Sequence, residues 1–139
     1  MHFVVNERDY FDFTIDDSRT SEDTVEVGFD FNLEGYGWGA GGGWYVRRKD
    51  IKNMSEGLSK LCTGKQDDFE YSCEQVLEGC PDNEYFHLLI TKVSEGKFHS
   101  KFKILDDLET VELEADFTLE ALKEDAKLWQ EYAAKYPVV

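Results

Sequence analysis

Proline is scarce, with 2 residues in 139, and apolar runs never exceed a few positions. A transmembrane helix needs about 20 consecutive apolar residues, so none fits. The N-terminal stretch 1–11 places Glu7 and Asp9 where a signal peptide carries an apolar segment of about seven or more residues. The chain therefore reads as a soluble, cytoplasmic protein. Its 3 cysteines, Cys62, Cys73 and Cys80, are an odd set without a Cys-x-x-Cys pair, and the 3 histidines, His2, His87 and His99, are scattered. Neither a disulfide frame nor a zinc site is expected, and the thiols read as small buried hydrophobes.

Positive charge is the other shortage. Lys and Arg number 15 against 30 Asp and Glu, a formal net charge of −15. Residues 1–35 hold 2 bases against 10 acids, a net of −8, whereas residues 36–65 hold 6 against 2, a net of +4. Residues 66–95 hold 1 against 8 (−7), and residues 96–139 hold 6 against 10 (−4). Nucleic-acid binding needs clustered positive potential, so it is not expected of this surface. A cationic partner is favoured.

Core-forming residues are plentiful: 41% of the chain is hydrophobic, with 10 Phe, 7 Tyr and 3 Trp. A chain of this size buries roughly two-thirds of its unfolded surface, and no linker or repeat interrupts it, so residues 1–139 form one domain. Within Thr24–Glu34 the odd positions Val25, Val27, Phe29, Phe31 and Leu33 are apolar and the even ones are not, which predicts a half-buried strand. Phe11, Phe13 and Ile15 give a shorter strand of the same kind, and Asp16–Glu22 reads as the loop between the two. The Gly-rich segment 36–46 predicts a kinked strand.

Ile51, Met54, Leu58 and Leu61 then fall on one helical face, with Asp50 as the expected N-cap and Thr63-Gly64 as the stop. Strand signals resume at Phe69, Tyr71 and Cys73. After turn-like residues 78–83, Tyr85–Val93 is apolar on both parities, which predicts a central strand covered on both faces. Ser94-Glu95-Gly96 reads as a tight turn into Lys97–Ile104, followed by the alternating run Val111–Phe117. If those two strands pair, a lysine row meets a glutamate row, each pair contributing roughly 0.2–1 kcal/mol. Thr118 caps a final helix whose stripe is Leu119, Leu122, Ala126, Trp129, Ala133 and Tyr136, ended by Pro137. The fold class is α+β: a single twisted, largely antiparallel sheet of about six or seven strands with two helices packed on it.

Catalytic signatures are lacking. The glycine run 35–43 has no Gly-Lys-Ser/Thr ending and opens no dinucleotide fold, no nucleophile elbow is present, and no His accompanies a Cys in a recognisable motif. No enzyme activity and no cofactor are expected.

The alternating Phe/Val strand, Gly41-Gly42-Gly43-Trp44, the helix holding Leu58-Ser59-Lys60-Leu61 and closing at Gly64, and Phe69-Glu70-Tyr71 follow one another in a distinctive order. With the strands around Phe86–Ile90 and Val111–Phe117 and the final helix up to Pro137, this order resembles the WapI-type immunity proteins of bacterial polymorphic toxin systems. The resemblance runs from about Thr24 onward and leaves out residues 1–23 and 73–83. It implies a small antidote that binds and occludes a toxin domain, with no catalytic residues to carry over. Gly41, Gly42, Gly43 and Trp44 match its pattern as fold-forming residues.

The expected function is therefore an acidic binding protein, monomer or homodimer, for a basic cognate toxin domain. The expected face is Asp12, Asp16, Asp17, Asp30 and Glu34, with Tyr36 and Trp38 as aromatic anchors. The alternative is an anion or nucleotide pocket, in a binding domain or enzyme, formed by the Gly-rich bend with Arg47, Arg48 and Lys49. A structural subunit of a larger assembly is a third reading.

Overall fold

A computed structural model of the chain describes residues 2–4, 10–20, 24–32, 42–75, 84–105 and 110–138, and the side chains of 46–72, 87–103 and 112–138. The elements in chain order are β1 (His2–Val4), β2 (Tyr10–Thr20), β3 (Thr24–Asn32), β4 (Gly42–Arg47), α1 (Arg48–Cys62), β5 (Asp68–Gln75), β6 (Glu84–Ser94), β7 (Lys97–Leu105), β8 (Thr110–Thr118) and α2 (Leu119–Lys135). The α+β class and the two helices agree with the sequence reading. The single sheet of six or seven strands does not. The eight described strands form two four-stranded sheets, β1-β2-β3-β4 and β5-β6-β7-β8, each antiparallel and in chain order. The chain leaves the first sheet at Arg47 straight into α1 and starts the second only after it.

β2 and β3 pair as expected, Phe11 opposite Phe31 and Phe13 opposite Phe29. β2 continues through Asp16–Thr20, where a loop was expected. The register slips between the Ile15–Val27 and Thr20–Val25 pairs, so this stretch is strand with an irregularity that hides its period.

The second sheet buries one face against the helices. Tyr71, Leu88, Phe102 and Leu113 form one cross-strand row, and Phe98 stands opposite Phe117. All six are buried. Ser100, fully buried on this same face, donates its hydroxyl to the Ala115 carbonyl at 2.7 Å, which satisfies its polar group. β6 is central in its sheet, but among its described side chains only Leu88 and Ile90 are sealed. His87 and Leu89 are half-buried and Thr91 is exposed, so its second face is partly wet, contrary to the expectation of cover on both.

Ile51, Met54, Leu58 and Leu61 of α1 meet Leu122, Ala126 and Trp129 of α2 in the same core. The helices also touch through polar groups, Gln130 Nε2 donating to Ser59 Oγ at 2.7 Å. Thr118 caps α2 as its sequence predicts, accepting from the Ala121 N–H at 3.2 Å, with Phe117 and Leu122 buried as the flanking apolar pair. Gly64, at φ +74°, follows the Thr63 cap of α1, a conformation glycine adopts without Cβ strain.

Candidate functional site

Arg47, Arg48 and Lys49 are not a loop in front of α1. Arg47 is its N-cap, and Arg48 and Lys49 lie in its first turn. Asp50 stands at the third helical position instead of the cap, accepting the Arg47 backbone N–H at 3.2 Å. An acid there suits the helix dipole and ties down one orphan donor. Arg48 crosses to the other end of the molecule's helix pair. Its Nη1 donates to the Pro137 carbonyl at 3.5 Å, and its guanidinium lies 5.8 Å from the centroid of the Tyr136 ring. A cation that is out of place at the N-terminus of α1 is thus well placed at the C-terminus of α2. Arg47 and Lys49 are exposed.

The acidic residues divide into three groups. Asp12 and Asp30 occupy directly opposed positions on β2 and β3, and His2 of β1 stands opposite Asp12, so the three form one row across three strands. Asp16 and Asp17 lie in the irregular stretch of β2. Glu34, Tyr36 and Trp38 lie outside the described residues, as do Gly41 and Cys80.

The outward face of the second sheet carries a charge lattice. The lysine and glutamate rows meet as the alternation predicts: Lys101 faces Glu114 and Lys103 faces Glu112, each pair 3.6 Å apart. Two histidines join it. His87 Nε2 lies 2.7 Å from Glu70 Oε1, and His99 Nδ1 lies 2.7 Å from Asp116 Oδ1 with its Nε2 3.7 Å from Glu114. His99 and Asp116 continue the predicted rows, whereas the His87–Glu70 contact joins residues 17 positions apart through a β5–β6 register that spacing alone does not fix. His87, Leu89, Lys101, Lys103, Glu112 and Glu114 line a half-open concavity of 590 Å³ over β6, β7 and β8.

Cys62 is a free thiol, half-buried against the core. Burial pushes its pKa up; Lys123 opposes this shift and Asp125 adds to it. Among the described residues no group of three or more His, Cys, Asp or Glu is placed to hold a metal ion, and no helix is long and apolar enough to cross a membrane. Comparison with family models, curated proteins and solved structures finds no match to this chain.

Proposed function

We propose that this is a non-catalytic cytoplasmic binding protein of the immunity kind, which docks an acidic face on a basic toxin domain and covers it. The observation that carries the reading is the placement of Asp12 directly opposite Asp30. Like charges at opposed ladder positions are unfavourable, and a cationic partner offsets that cost. It lies in residues 1–35, which hold 10 acids against 2 bases. In the second sheet, by contrast, Lys101 and Lys103 stand beside Glu114 and Glu112. A cationic surface would supply counter-charge to both positions. Electrostatic steering then speeds association.

The experiment pairs stability with binding. Asp12→Asn with Asp30→Asn is expected to raise the stability of the free protein by up to about 1 kcal/mol. The same variant is expected to weaken binding to the basic protein captured by pull-down from the source cell. Binding by the parent protein should fall as salt rises from about 0.05 M to about 0.5 M, where the screening length shrinks to a few ångströms. Salt-independent binding, or full binding by the double variant, would remove the reading.

A further inference from the structure

The concavity over β6, β7 and β8 is independent of the docking face and carries a chemistry of its own. Its wall holds two ammonium groups, Lys101 and Lys103, and two carboxylates, Glu112 and Glu114, set in alternation by the register of β7 and β8. Each Lys–Glu pair is 3.6 Å apart. Among the described lining residues these four charges balance, yet that separation exceeds ordinary hydrogen-bond length, so their donors and lone pairs are not consumed by one another. All four side chains are well exposed to the concavity's solvent, between 44% and 72%. Leu89 adds a half-buried apolar contact, and His87, oriented by Glu70, stands beside Lys103 across the β6–β7 ladder.

Charge complementarity favours one class of ligand. A simple anion engages the lysines but leaves Glu112 and Glu114 without counter-charge, in a chain whose net charge is already −15. A simple cation strands the lysines. A molecule bearing both signs exchanges with each pair and leaves none uncompensated. A volume of 590 Å³ lies within the range of about 300–1,000 Å³ usual for small-molecule sites. We propose that this concavity binds a small zwitterion, an α-amino acid or short peptide, with its carboxylate on Lys101 and Lys103 and its ammonium on Glu112 and Glu114.

The test is thermal unfolding of the whole chain with each of the twenty amino acids and with Leu-Leu. N-acetyl-leucine and leucine amide serve as singly charged controls. A zwitterion should raise the melting temperature by several degrees, since it binds the native state alone. The controls should not, and Lys101→Gln with Glu114→Gln should abolish the shift. Amide chemical shifts measured on the parent protein locate the site without relying on a variant: they should move at 101–103 and 112–114 and stay fixed in α1. No shift with any zwitterion, an equal shift with either control, or perturbations outside β6–β8 would overturn the proposal.

Discussion

Gly57 of α1 lies directly under the Phe69 ring of β5: a Cβ built on the glycine would fall on ring atoms Cδ2 and Cε2. Helix propensity alone predicts that Gly57→Ala stabilises by up to about 1 kcal/mol. The contact reverses the sign. The ring is partly buried against the core, so a Cβ fits only if it shifts. Gly57→Ala should therefore cost about 1–3 kcal/mol, as overpacking does. In a Phe69→Ala background the same change should turn neutral or stabilising. Urea unfolding of the four proteins decides it; equal effects in both backgrounds would mean that the ring is not the cause.

A second glycine is constrained by its backbone and not by crowding. Gly96, in the β6–β7 turn, has φ +74° and open space around its missing Cβ. Its carbonyl also accepts the Leu119 N–H at 3.1 Å, so the turn helps to seat the start of α2. Gly96→Ala should cost about 1–2 kcal/mol through left-handed strain. Gly96→Asn should cost less, because asparagine tolerates this region. Chemical denaturation compares the two, and an Asn variant as damaged as the Ala variant would point away from strain.

Cys62 should be a slow nucleophile. Burial holds its thiol neutral above the ordinary range, so alkylation by iodoacetamide should rise with pH along a curve displaced upward from that of a free cysteine. The sign for stability follows from linkage. The native state keeps its proton longer than the unfolded one, so this contribution is present below the unfolded thiol's pKa and is lost as pH rises toward the folded value. Lys123→Gln should move the alkylation curve further up, because the lysine opposes the shift. A curve at or below that of free cysteine would contradict the assigned cause.

How far the chain could be read depends on which interactions are local. The β3 strand, the α1 stripe, the Thr118 cap and the lysine and glutamate rows rest on local signals, and each appears in the structure. Gly57 is unfavourable in a helix by residue type, and the ring that crowds it arrives from a different element. Asp50 was a credible cap by residue type, but the helix begins at Arg48, whose charge is accommodated by Tyr136 and Pro137 at the far end of the chain. The β2 extension is masked by four polar residues, Asp16–Arg19, at a register slip. The acidity of residues 1–35 was legible as composition, and only the register revealed that Asp12 and Asp30 occupy opposed positions. The concavity escaped notice because its members come from three strands and none is unusual alone.

In both sheets every described strand hydrogen-bonds only to its neighbours in the chain. Each meander can zip from its own hairpins while the protein is still emerging from the ribosome. The helix pair is different: Ser59 must wait for Gln130, 71 residues later. Until α2 is synthesised, the apolar side of α1 has no helical cover. That interval is the period in which a nascent chain most needs shelter from its neighbours.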